Sequence, residues 1–172
     1  MHPTGLKLAT PTETTIVLTR SFDAPRRLVW EALLVPDKMR RWMLPPPGWS
    51  LSVCECDARL AGGLRIAWKS AEADPAMTLY GVFTEVLPHE RIVHTEMMVL
   101  GSGQPVGMQV EAHEFAEERG VTTLRITQTY SSKDARRRAL LRHGRGHGGL
   151  LSAARCAARR ARVVRGRARR RS

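Results

Sequence analysis

With 172 residues, 42% of them apolar, the chain has material for one domain around one core and not for two. No stretch approaches the roughly 18 consecutive apolar residues of a membrane span, and the first twenty residues contain no apolar leader core, so a cytoplasmic chain without a membrane partner is expected. The net charge of +12 points to nucleic acid, but residues 1–134 hold fourteen Lys and Arg against sixteen Asp and Glu, a net −2, whereas residues 135–172 hold fourteen Arg and no acid. Any contact with nucleic acid is therefore expected to be non-specific and to run through that tail alone.

Residues 1–12 are expected to be disordered. Thr14 to Phe22 alternates β-branched and polar residues and predicts a strand. The period then changes: Asp23 is placed to cap a helix with Pro25 in its first turn, and Leu28, Val29, Ala32 and Leu33 make an apolar stripe. Pro36 ends that helix, and Asp37 opens a short second one that carries Met39 and Trp42. Pro45, Pro46, Pro47 and Gly48 force a loop. Strand-like runs follow at 49–60, 64–69, 78–87, 91–99, 109–117 and 121–130. They are separated by Gly62-Gly63, Asp74-Pro75, Pro88-His89, Gly101-Ser102-Gly103 and Arg119-Gly120, all residues that favour turns. One strand, two short helices and six meandering strands predict an α+β domain over residues 13–134. Its antiparallel sheet needs a cover for one apolar face.

The stretches D-A-P-R-R-L-V-W-E-A-L (23–33), P-P-P-G-W (45–49), C-D-A-R-L-A-G-G-L-R (56–65), Y-G-V-F-T-E-V-L-P-H-E-R-I-V-H-T-E (80–96) and T-T-L-R-I-T-Q-T-Y-S-S-K-D-A-R (122–136) occur in that order. Together they resemble the SRPBCC (START-like, Bet v 1-like) superfamily, in particular its branch related to the C-terminal domain of the activator of the ninety-kilodalton heat-shock protein's ATPase. The resemblance implies a helix-grip fold, in which a curved antiparallel sheet holds a C-terminal helix across its concave face. It also implies a ligand-binding or cochaperone-like role on a scaffold that carries several functions.

The closing helix is where the chain departs from that pattern. After Asp134-Ala135-Arg136 the sequence becomes a mixture of Arg, Ala, Gly and Leu. Written as degenerate codons and read one base later, Arg142 to Arg160 permits G-M-x-E-G-M-E-x-S-Y-x-x-L-D-A-L-L-A-E, which resembles the family's last helix. Residues 135–172 are accordingly read as an arginine-rich, frame-shifted tail. Leu150, Ala153, Ala154, Ala157, Ala161 and Val164 fall on one helical face, so a helix over 150–165 remains compatible with it. No aromatic residue accompanies these arginines to stack on bases.

Within the domain, period-two alternation carries Glu111 and His113 to the face of Phe115, and Gln128 to the face of Leu124 and Ile126. His94 and Glu96 lie among apolar residues of the strand at 91–99. Such polar groups bond to one another, orient a ligand, or act as acid and base. Trp42, Trp49 and Trp68, with Met39, Tyr80 and Met97, are expected either as plain core or as the rim of a cavity. Cys54 and Cys56, two apart on a strand, read as half-buried small hydrophobes. The i, i+4 pair His143 and His147 is interrupted by Gly-Arg-Gly and has no carboxylate nearby, so no metal or other cofactor is implied. Carboxylates such as Glu117 and Glu118 sit in a turn and read as solvated.

Three functions follow. The first is a non-catalytic binding module for a small apolar or aromatic molecule. The second is a cochaperone-like or stress-related protein-interaction domain, with a chaperone among its partners. The third is a cyclase- or hydrolase-type enzyme that uses the polar set. A roomy cavity lined by converging polar groups favours the first or third, and a filled core with an exposed apolar patch favours the second.

Overall fold

The computed structural model describes residues 5–43, 45 and 47–144, the side chains of 141–144 excepted. The described residues form eight strands: β1 (Lys7–Ala9), β2 (Thr15–Phe22), β3 (Ser50–Cys56), β4 (Gly63–Lys69), β5 (Met77–Leu87), β6 (Arg91–Leu100), β7 (Pro105–Glu118) and β8 (Val121–Tyr130). They form one antiparallel sheet in the order β1-β2-β8-β7-β6-β5-β4-β3. Helices α1 (Arg26–Leu34) and α2 (Pro36–Met39) follow β2, and α3 (Lys133–Gly144) follows β8. The fold is α+β, of the helix-grip type.

The meander from β3 to β8 arises because each hairpin joins strands of matching alternation. At the last of these turns Arg119 and Gly120 both take positive φ, 51° and 77°, the conformation that reverses the chain most tightly. Register is then set by which face is apolar, since a one-residue slip would turn every buried side chain to water. Leu79, Phe83, Ile92, Phe115, Leu124 and Ile126 face inward and meet Val29, Leu33 and Leu34 of α1 with Met39 and Trp42. Burying one such side chain as fully as Phe83 contributes roughly 1.5–3 kcal/mol.

Four expectations are corrected. Residues 7–9 are not disordered but form β1, paired to β2 through Lys7↔Thr19, Leu8↔Leu18 and Ala9↔Val17. The cap position of α1 is Pro25, with no side-chain cap bond, rather than Asp23. Its first free N–H is met from afar, because Arg26 N donates to Glu117 Oε2 at 2.8 Å, which gives Glu117 a structural partner in place of water alone. The stripe of α1 runs through Val29, Leu33 and Leu34, and Leu28 is exposed, because the sheet meets the helix on that side. The 150–165 helix and the pair His143 and His147 lie outside the described side chains. Among the described residues no helix is long and apolar enough to cross a membrane.

Candidate functional site

Three adjacent strands build a polar cluster in the apolar interior. On the inner face of β6 stand Ile92, His94 and Glu96; opposite them on β7 stand His113, Glu111 and Gln109, register partners in that order. The β8 partners of the same β7 residues are Ile126, Gln128 and Tyr130. Strand alternation and ladder register thus carry seven polar side chains to one place from residues up to 36 apart in sequence.

The cluster is wired by hydrogen bonds. His94 Nε2 lies 3.0 Å from Glu96 Oε1, and His113 Nε2 lies 3.0 Å from Glu111 Oε2. The Gln109 amide donates to Glu96 Oε2 and to Glu111 Oε1, each at 2.8 Å. Gln128 donates to Glu111 Oε1 and accepts from the Tyr130 hydroxyl at 3.0 Å. His94 stacks at a tilt on Phe83, ring centroids 5.3 Å apart, and on His113 at 5.2 Å. Gly81 makes room beside it: a Cβ there would fall 2.4 Å from the Thr95 carbonyl oxygen and 3.6 Å from the His94 ring.

The electrostatics divide the two carboxylates. Burial works against ionisation of Glu111, but the hydrogen bond from His113, the charges of His113 and His94 and the Gln128 amide outweigh it and hold the carboxyl at about 2. Glu96 moves the other way, pushed up by burial and by the charge of Glu111, with His94 opposing. Burial disfavours the His94 imidazolium, yet its bond to Glu96 and the two carboxylate charges raise it above the ordinary value. The set therefore holds Glu111 ionised while Glu96 and His94 are both shifted towards their protonated forms, an arrangement that can transfer a proton, accept a donor or take up a cation.

A small cleft of about 50 Å³ opens beside the cluster under α3. Glu96, Gln109 and Tyr130 reach it among Leu79, Met98 and Val106, and Ala135, Arg138 and Ala139 of α3 form its outer wall. His94, Glu111 and His113 lie deeper and do not line it.

Of the residues singled out from sequence, His94, Glu111, His113 and Gln128 come together in this cluster, with Phe115 at its core end. Met39 and Trp42 are core, the latter with its indole N–H on the Ala32 carbonyl at 2.7 Å. Trp68 packs half-buried against that core, and Trp49 stands half-buried before β3. Tyr80 and Met97 are register partners on the outer face, turned away from the cluster. The six aromatic and thioether residues therefore do not make one rim. Glu96, Gln109 and Tyr130 complete the cluster; Gln109 and Tyr130 are readable only by continuing the period-two series 109, 111, 113 and 126, 128, 130. Cys54 and Cys56 are free thiols, and burial pushes Cys56 up to about 12.

The outer face has its own feature. Tyr80, Val82, Met97, Met108 and Val110 are all exposed there, and most of them border an open groove of about 830 Å³ that reaches to Cys54 and Cys56.

Comparison with known proteins adds family and fold. The profile of the Activator of Hsp90 ATPase homolog 1-like protein family matches residues 23–149. Among solved structures, one from Rhodobacter sphaeroides is similar at a TM-score of 0.77 and 20% identity, over 93% of this chain and 99% of that one. A protein from Mycobacterium smegmatis gives 0.73 at 19% identity over 90% and 95%. A third, from Chromobacterium violaceum, gives 0.65 at 24% identity over 87% and 98%. A search of curated proteins finds no match.

Proposed function

The chain belongs to the activator of Hsp90 ATPase homolog 1-like protein family, and from that premise we propose that it binds a small, largely apolar molecule with one polar end, without transforming it. The observation that supports this is the cleft under α3, where apolar side chains surround Glu96 and Gln109. A few placed polar groups in an apolar wall fix the orientation of a ligand. As it stands, about 50 Å³ accommodates the polar end alone, against the roughly 300 Å³ or more of a typical ligand site. On this reading the apolar body lies along Leu79, Met98 and the Ala135 and Ala139 side of α3, and the cleft has to widen to admit it. Binding is favoured over catalysis because the imidazoles are shielded: His94 and His113 are 3% and 7% exposed and sit behind the residues that meet the cleft.

The test is a thermal-shift screen of hydrophobic compounds bearing a hydroxyl, amide or amine. A ligand that binds only the folded state raises the melting temperature by mass action. The best compound should lose its effect on Ala139→Trp, which fills the cleft, and on Glu96→Leu. Equal shifts on both variants would place the ligand elsewhere.

A second reading rests on the outer face. An exposed apolar patch of this kind marks a protein contact, and the family is named for activators of the Hsp90 ATPase. Under that reading Met97→Ser and Met108→Ser together abolish capture of an Hsp90-type chaperone and leave the thermal shifts unchanged.

A further inference from the structure

His94, Glu111 and His113 each present one ligand atom, and the three lie within 4.8 Å of one another. Two imidazole nitrogens and one carboxylate oxygen form the donor set of zinc and of non-haem iron(II), not the all-oxygen shell of magnesium or calcium. His113 Nε2 and Glu111 Oε2 already stand 3.0 Å apart. Metal–ligand bonds of about 2.1 Å in a tetrahedron set neighbouring ligands roughly 3.4 Å apart, so the imidazole of His94 has only a short way to close.

The scaffold around these groups is what a metal site needs. His94 and Glu111 are register partners on central strands and His113 is two residues along, so their spacing is fixed by the ladder and not by a loop. Gln109 and Gln128 both donate to Glu111 and orient its carboxylate, and Glu96 takes the Nε2 of His94. Each imidazole uses one ring nitrogen only: the Nδ1 atoms of both His94 and His113 are buried without a hydrogen-bond partner. Histidines kept for packing have both nitrogens satisfied as a rule. A metal between His113 Nε2 and Glu111 Oε2 would take the place of the proton that now joins them. The cleft under α3 gives the ion its way in, past Glu96 and Gln109.

We propose that His94, Glu111 and His113 bind one divalent d-block metal ion, of the zinc or iron(II) class, with Glu96 as the adjacent carboxylate. The site lies beneath the cleft and does not depend on the small-molecule reading above.

The experiment uses the full chain after chelator treatment and dialysis. Cobalt(II) is titrated while its visible d–d absorption is followed, and zinc is then added by calorimetry. One equivalent should bind at the cluster, and zinc should displace cobalt. Because loss of an outer-shell partner weakens metal sites by about 10–100-fold, Glu96→Gln should fall in that range, and His94→Gln, His113→Gln and Glu111→Gln should each weaken binding by more than about 100-fold. His143→Ala with His147→Ala should leave it intact. Uptake that is lost in that tail variant and kept in His94→Gln with His113→Gln overturns the proposal, as does the absence of any stoichiometric uptake. Should a core variant not fold, imidazole NMR of the unaltered chain decides. Zinc must shift the signals of the two buried histidines, and shifts confined to exposed ones refute the site.

Discussion

His94 and Glu111 face each other as register partners across β6 and β7, and His113, two residues along β7, closes on the same carboxylate at 3.0 Å. Glu111 is thus the hub of the interior, accepting from His113, Gln109 and Gln128 at once. Replacing it by Leu leaves two buried donors, on His113 and Gln128, without an acceptor, and the protein should lose about 3–5 kcal/mol, read as a shift of the urea midpoint. Glu111→Gln keeps acceptor and shape and should lose clearly less. Equal losses in the two variants would show that the hub acts by volume alone.

The same hub sets a pH window, measured on chelator-treated protein. Glu111 is held at about 2 against an ordinary 4.5, so its contribution is complete above 4.5 and is lost as pH falls from there towards 2. His94 and Glu96 are raised above their ordinary 6.5 and 4.5, so theirs are complete below those values and are lost as pH rises through the folded ones. The melting temperature should peak in mildly acidic solution and decline on both sides. Glu96→Gln should flatten the alkaline decline and leave the acid limb in place; an unchanged alkaline limb would assign that decline to other groups.

Gly81 gives a steric test. A methyl at this position meets the Thr95 carbonyl oxygen at 2.4 Å, backbone that cannot turn aside as a side chain can. Gly81→Ala should cost about 1–3 kcal/mol and push β5 away from Thr95 of β6, seen as shifts of the backbone amide signals around both residues. A variant as stable as the parent, with those signals unmoved, would mean that the site accepts the methyl without strain.

Charge placement gives a test of the tail. Residues 145–172 contain ten Arg and no acid, whereas residues 1–144 hold eighteen Lys and Arg against sixteen Asp and Glu. In fluorescence anisotropy the full chain should bind DNA or RNA in a salt-sensitive way, and a chain ending at Gly144, which keeps α3, should not. Binding that survives this truncation would assign it to the folded body.

Much of the domain was legible in the sequence because its signals are local. Alternation marked the strands, glycine and proline pairs marked the hairpins, and period two put Glu111, His113 and Phe115 on one face, as a pleated strand must. What alternation cannot say is which partner stands opposite, because ladder register depends on bulges, such as the shift between Phe83 and Glu85, and on which face the helices cover. Only the tertiary structure therefore joined His94 to Glu111 across two strands, completed the cluster with Gln109 and Tyr130, and turned Tyr80 and Met97 away from it. The same holds for Glu117, whose place at the start of α1 is set by a contact 91 residues distant and by nothing in its neighbourhood. Local pattern decided which side chains could be buried; the long-range pairing of strands, which alone brings distant polar groups within hydrogen-bond reach, decided which of them meet.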